Sequence, residues 1–422
     1  MDDELNLIAL RHDLPGRPIA FTGSSPLLSA LWDNALSDVE RSYCLENEFG
    51  RTFAAGGYGK NWVGLTFNRD TSLSGLLALN ALFPEEMLTS MKTIRASRLK
   101  LGWACYPDRV IEGVPGVEVC DMDLTAFKAR FHKASSINKT DDVVWIWCMY
   151  DLLARGELPE AEWRWTYETA LECFRRFYDP LFDPADGLYF GQALFIDVGL
   201  SGYPDGWCGY DQASCNRCVW IKAASTNALY VKAMRCLGEI ARRLGREGEA
   251  EDWEARARAL RQAMRTHLRF ADGTYAYFRH RTGELEPRRD ALGTALCVLL
   301  DIAAPEEAAD ALGDYPVTAY GAPLIHPFYE RDDRPYHNHS AWPFADTFLL
   351  LAYEKATGRS YADLNLQIMV NSVRDGSLGE VRNLVTNRIM GSNAQLWTIA
   401  GFLNACIRAG LTELPPETVD MN

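Results

Sequence analysis

The sequence is poor in positive charge, in long apolar runs and in ordered cysteine spacing, and each shortage excludes a class of protein. Its 422 residues carry 43 Lys and Arg against 57 Asp and Glu, a formal net charge of −14. A nucleic-acid binder that tracks phosphates needs clustered cations, so no nucleic-acid partner is expected. No apolar run approaches the roughly 20 residues that span a bilayer, so no membrane partner is expected either. The opening MDDELNLIALRHDLPG has acids where a secretory leader needs a basic region, so an unexported, cytoplasmic protein is expected. The 11 cysteines are odd in number and lie mostly in apolar segments such as WIWCMYDLL, which reads as buried thiols in a reducing compartment. Cys208, Cys215 and Cys218 contain one Cys-x-x-Cys, but no second pair and no His pair follows nearby. A metal site is therefore not expected. There is no period-2 strand series and no glycine-rich phosphate loop ahead of a helix, and no cofactor is expected.

What is present is helix. Apolar periodicity predicts twelve, over 25–45, 69–83, 85–97, 140–155, 160–178, 223–245, 247–268, 290–302, 305–313, 339–357, 359–372 and 391–409. Thr140, followed by Asp141 and Asp142, reads as a cap with acids in the first turn. Ser225 and Thr226 can cap the sixth helix if it starts late, and Ser392 or Asn393 can cap the last.

The connections alternate. After even-numbered helices they are short: Phe83-Pro84, 156–159, Gly245-Arg246, Ala303-Ala304 and Gly358. After odd-numbered helices they are long: 46–68, 98–139, 179–222, 269–289, 314–338 and 373–390. A strict alternation brings all the long loops to one end, and long loops in compact domains are usually functional. The even helices are also the more apolar, as in WPFADTFLLLAY, whereas odd ones such as EDWEARARALRQAMRTHL are amphipathic. Apolar helices belong inside and amphipathic ones around them. The expected fold is all-α: an (α/α)6 toroid forming a single domain over 1–422, with 1–23 as a lead-in.

Residues just before the inner helices then share one cavity. They are Trp62, Asn68, Arg69 and Asp70 before the second helix, SSINKTDD with Asp142 before the fourth, and GLYFGQALFIDVGLSGYPDGWCGYD before the sixth. GAPLIHPFYERDDRPYHNHSAWPFAD, with His337 and Trp342, leads into the tenth, and a stretch containing Glu380 leads into the last. Carboxylates, aromatics and amides together suit a polar, ring-shaped, non-phosphorylated ligand. Each residue also has a plainer reading. Arg69 and Asp70 can be a local ion pair and a first-turn acid, and Asp141 or Asp142 a cap. His337 and His339 can be cavity wall or loop-ordering groups, and Trp145, Trp147 and Trp342 can be packing. Asp183 and Asp186 are turn chemistry.

With FNRDTS, STNALYVKAMRCLGEIARRLG, HSAWPFADTFLLLAYEKATG and GEVRNLVTNRIMGSNAQLWTIAGFL in this order, the whole chain resembles the catalytic domain of the six-hairpin glycosidases. That superfamily includes glucoamylases, trehalases and processing α-glucosidase I. The last segment is similar to the superfamily's closing pattern, a catalytic-base Glu and then Ser-x-x-Gln-Leu-Trp, here reaching Gln395. The resemblance implies that Glu380 is the general base and that Arg69 and Asp70 bind hydroxyls of the terminal sugar. It places the general acid in the loop before the sixth helix, which offers Asp197, Asp205 and Asp211. A Phe-x-Asp-Trp then Tyr-Pro pattern matches Asp197 and Tyr203-Pro204, except that Val198 stands where Trp is expected. Asp205 echoes the Ser-Gly-x-Asp of trehalases with Pro204 inserted, and Asp197 is preferred.

The resulting expectation is an exo-acting, inverting glycoside hydrolase acting on a short oligosaccharide or glycoside. One rival is a sugar epimerase or isomerase on the same barrel, using His326, His337 and His339. Another is a carbohydrate-binding protein without activity. The sequence leaves the sugar, its linkage and the oligomeric state open.

Overall fold

The stretch PFADTFLLLA has no polar face wide enough for a surface helix, and the fold buries every residue of it. Such helices form the inner ring of this structure, a computed structural model that describes residues 19–42, 44–47, 50–53, 56–58, 68–100, 105–110, 118–120, 141–156, 158–194, 221–330 and 336–421.

Within those residues the main helices are α1 (Pro26–Ser42), α2 (Asn68–Ser74, continued by a π turn over Gly75–Leu79 and by Asn80–Leu82), α3 (Pro84–Lys100), α4 (Asp141–Arg155), α5 (Glu160–Cys173, extended by a π turn over Phe174–Tyr178), α6 (Ala224–Arg243), α7 (Glu247–His267), α8 (Ala291–Leu299), α9 (Ala308–Leu312, after a 3₁₀ turn at Pro305–Glu307), α10 (Pro343–Thr357), α11 (Ala362–Asn371) and α12 (Leu396–Arg408). The even-numbered helices form a closed ring: α2 packs on α4, α4 on α6, α6 on α8, α8 on α10, α10 on α12 and α12 on α2. Most outer helices bridge neighbouring inner ones: α3 touches α2 and α4, α5 touches α4 and α6, α9 touches α8 and α10, and α11 touches α10 and α12. This is the (α/α)6 toroid. Gly75 marks a close approach of α2 to α3 and α4, where an added Cβ would lie 2.6 Å from Met87 Cε and 2.7 Å from Cys148 Sγ.

The long connections meet at one end because they pair with one another. The strand Gly56–Tyr58, ahead of α2, pairs with Asn393–Gln395, ahead of α12. Val381–Asn383, also ahead of α12, pairs with Ser340–Ala341, ahead of α10. Ile325–His326 pairs with Arg289–Asp290, ahead of α8, and Phe278–His280 pairs with Ile221–Ala223, ahead of α6. These ties line up the N-termini of the inner helices around one opening.

Several expected boundaries move. The last helix begins at Leu396 rather than 391, because residues 393–395 are recruited as a strand and Ala394 takes φ +52°. Neither Ser392 nor Asn393 caps it: Gln395 stands at the N-cap, with no side-chain cap bond. The tenth helix begins at Pro343, after the strand Ser340–Ala341. Ser225 and Thr226 do not cap α6 but tie it to the preceding loop, Ser225 Oγ accepting from Leu194 N at 3.0 Å and Thr226 bonding to Gln192 O. Asp183 and Asp186 do make turns, accepting from Ala185 N and Leu188 N, and both also hold the buried Lys222 ammonium. Thr140 lies outside the described residues.

Candidate active site

Glu380 sits at the start of a three-stranded sheet formed by Ser340–Ala341, Val381–Asn383 and Ile389–Met390. It is only 2 % exposed. Ionised, a carboxylate is an acceptor on both oxygens, and burial is tolerated only when donors reach it. Two do. The Tyr336 hydroxyl donates to Oε1 at 2.5 Å, and the Ser392 amide donates to Oε2 at 2.6 Å. The Glu380 amide in turn donates to Ser392 O at 3.0 Å. The turn that brings Ser392 so close depends on Gly391, which takes φ +74° and where a Cβ would run into the Glu380 carboxylate.

Tyr336 is held as firmly as its acceptor. Its carbonyl accepts from Ser340 Oγ at 2.9 Å and from Trp342 Nε1 at 3.2 Å. Its ring stands edge-on to Trp342 at 4.9 Å and 81°, and His337 stacks on the same indole at 5.5 Å and 28°. Trp342 is 1 % exposed and packs edge-on against Trp397 of α12, so it supports the Tyr336 turn from behind. Trp145 is likewise packing, edge-on to Trp165 with its Nε1 donating to Met91 O.

On the neighbouring inner helix, the first turn of α2 presents Asn68, Arg69 and Asp70, all buried. Asp70 Oδ1 accepts from Gln395 Nε2 at 3.1 Å, which joins the N-termini of α2 and α12. Asn68 Oδ1 accepts from Ser72 Oγ at 3.0 Å. The structure thus brings Asn68, Arg69, Asp70 and Gln395 to the same end of the ring as Glu380, His337 and Trp342. Asp142 lies in the first turn of α4, with its side chain outside the description. Trp62, Asp197, Tyr203, Asp205 and Asp211 lie outside the described residues, as do Cys208, Cys215 and Cys218.

Two more carboxylates stand at inner-helix N-termini, and sequence reasoning passed over their chemistry. Asp290 caps α8 by accepting from the Gly293 amide, and burial pushes its pKa up to about 7. Asp346, in the first turn of α10, accepts from Ala322 N at 2.8 Å, and burial pushes it up to about 8. The visible signal is an acid at the head of an otherwise apolar helix. His326 packs against Tyr315, and burial with the nearby Arg289 holds its pKa below the ordinary value. Tyr336 had no local signal beyond its place in a long loop. Among the described residues, no group of three or more His, Cys, Asp or Glu is placed to hold a metal ion. Among the same residues no helix is long and apolar enough to cross a membrane.

Residues 198–398 match the sequence model of the mannosylglycerate hydrolase MGH1-like glycoside hydrolase domain. Comparison with curated proteins finds no match. Among solved structures, a glycosidase variant in complex with glucose is similar over 92 % of this chain and 98 % of its own, with TM-score 0.61 and 14 % identity. A GH63 mannosylglycerate hydrolase from Thermus thermophilus, in complex with glucose, is similar over 88 % of this chain and 99 % of its own, with TM-score 0.60 and 14 % identity. A bacterial glucoamylase complexed with acarbose covers 93 % of this chain with 57 % of its own length, at TM-score 0.57 and 11 % identity. The structural likenesses establish a fold shared with glycosidases, and the sequence match over residues 198–398 is to a glycoside hydrolase domain, which supports a glycoside hydrolase.

Proposed function

We propose that the chain is an exo-acting glycoside hydrolase that inverts the anomeric centre, with Glu380 as the general base. The observation that carries this reading is the Glu380 carboxylate itself: buried at the loop end of the ring, held by one donor on each oxygen, and set beside the hydroxyl-binding candidates of α2. A hydrolase of this type needs a second carboxyl, protonated, on the other face of the sugar. Asp197 is assigned that role, with Asp205 as its alternative. Both belong to the connection before α6, and in a ring of six inner helices α6 stands opposite α12. Groups from opposite walls leave room for a water between them, as the roughly 6.5–9.5 Å carboxyl separation of inverting enzymes requires. Asn68, Arg69, Asp70 and Gln395 are assigned to the hydroxyls of the terminal sugar. Trp62, Asp142, Tyr203, His337 and Trp342 complete the proposed wall, the last two acting from behind Tyr336.

The substrate class proposed is a short oligosaccharide or a glycoside of a small aglycone, in the cytoplasm. Likeness to a mannosylglycerate hydrolase supports the second of these. The test is a panel of 4-nitrophenyl glycosides, disaccharides and mannosylglycerate, with free sugar detected and the first-formed anomer followed by proton NMR. Inversion is expected, and Glu380→Gln is expected to lower kcat by about 10²–10⁴-fold. Initial appearance of the retained anomer, or normal turnover by the variant, would remove Glu380 as a water-activating base.

A further inference from the structure

We propose that Tyr336 is a positioning residue for this hydrolysis: its hydroxyl, working against the Ser392 amide, fixes the orientation of the Glu380 carboxylate toward the water it deprotonates. The inference rests on the reading of Glu380 as the base.

Donor and acceptor are 44 residues apart in sequence, yet one small sheet places both. Ser340–Ala341 follows the Tyr336 turn directly and pairs with Val381–Asn383, which follows Glu380 directly. Leu384 N donates to His339 O at 2.8 Å, and Asn338 is tied to Tyr329 through both its amide N and its amide O. The distance from the phenol to Oε1 is therefore set by backbone pairing, whereas a loose surface side chain would have several rotamers to choose from. At 2.5 Å the bond lies in the charge-assisted O–H···O⁻ range.

A glutamate's terminal torsion is broad and two-fold, so a single donor on one oxygen leaves the carboxylate plane free to swing. Donors on both oxygens, one from the loop before α10 and one from the turn at Gly391, remove that freedom. Near-attack geometry is the part of catalysis most sensitive to such fixing. Donation to the ionised form also favours that form, which keeps a base ionised while its partner acid is protonated.

Several charged groups on the described surrounding elements have partners of their own. Arg374 donates to Asn393 Oδ1 and to the carbonyls of Ile389 and Gly391. Arg382 donates to Asn387 and lies over the Tyr320 ring. His337 is stacked on Trp342, and Arg69 and Asp70 open α2. Tyr336 is thus a side chain of the loop before α10 that bonds Glu380 directly.

The experiment compares Tyr336→Phe, Glu380→Gln and the double variant on the best substrate of the panel. Phenylalanine keeps the ring on Trp342 and removes only the donor. Expected are a kcat lowered about ten-fold or more with KM within about two-fold. The acid limb of the kcat/KM profile should also move to higher pH. In the Glu380→Gln background, Tyr336→Phe should cost nothing further. A lowered folded fraction would scale the rate equally at every pH, so the limb distinguishes positioning from stability. If Tyr336→Phe leaves kcat and the acid limb unchanged while Glu380→Gln is inactive, the positioning role is overturned and the base survives. If Glu380→Gln turns over normally, the base reading fails, and this inference fails with it.

Discussion

Replacing Asp346 by Asn should make the protein more stable at neutral pH and progressively less advantaged as the pH falls. Asp346 is fully enclosed in the first turn of α10. Its Oδ1 accepts from Ala322 N at 2.8 Å, and its Oδ2 is buried without a hydrogen-bond partner among the described residues. Burial raises its pKa from 3.8 to about 8, with the Ala322 amide opposing the shift. A carboxyl raised in this way contributes stability that is fully present below the unfolded pKa and is lost as pH rises through the folded one. Inside that window the folded state holds a proton that the unfolded state has released, so stability falls by about 1.4 kcal/mol per pH unit. Asparagine keeps the Oδ1 acceptor and cannot ionise. Between about pH 5 and pH 7, two units inside the window, the variant should therefore gain about 2.7 kcal/mol relative to the wild type. Burying the new amide N–H adds a cost of about 1–3 kcal/mol that does not depend on pH, so the slope is the diagnostic quantity. Urea unfolding of both proteins at matched ionic strength, followed by tryptophan fluorescence, measures it. A wild-type-to-variant difference that stays constant from about pH 5 to pH 8 would show that Asp346 is ionised in the folded protein, and would refute the burial argument.

Gly391→Ala adds a methyl where the backbone has φ +74° and Glu380 Cδ would be only 2.8 Å away. It should lower kcat by about 10²-fold through displacement of Glu380, the proposed base, measured on the same substrate as Glu380→Gln. Lys222→Met strands Asp183 and Asp186, bound now at 2.6 and 2.8 Å beneath a 4 % exposed ammonium. It should cost about 3 kcal/mol or more of unfolding free energy in urea, and a loss below about 1 kcal/mol would count against the pair's structural role.

The barrel was legible because two independent periodicities agree. Apolar spacing marks each helix, and loop length marks which end of the molecule each connection occupies. WPFADTFLLLAY and AQLWTIAGFLNAC could be placed inside without any knowledge of what they touch. The misplaced starts of α10 and α12 have one cause. Ser340–Ala341 and Asn393–Gln395 look like helix lead-in locally, but each is captured as a strand by a segment remote in sequence, Val381–Asn383 for the first and Gly56–Tyr58 for the second. Local propensity carries no information about such a partner.

The candidate site divides along the same line. Glu380, Asn68, Arg69, Asp70 and Gln395 could be found because the alternation says which loops reach the opening, and a carboxylate or amide at a loop's end is visible as a letter. Tyr336 could not, since what matters is the 2.5 Å bond across 44 residues and the sheet that sets it. Gly391 is the intermediate case. Its letter is ordinary in a turn, and only the approach of Ser392 N to Oε2 reveals that the missing Cβ is what allows the Glu380 carboxylate to be held at its second oxygen. Of the two Glu380 contacts, the Ser392 amide comes from the loop that carries Glu380 itself, whereas the Tyr336 hydroxyl comes from the neighbouring loop before α10. Substitutions in the loop before α10 should therefore alter the chemistry at Glu380 even where they touch no sugar.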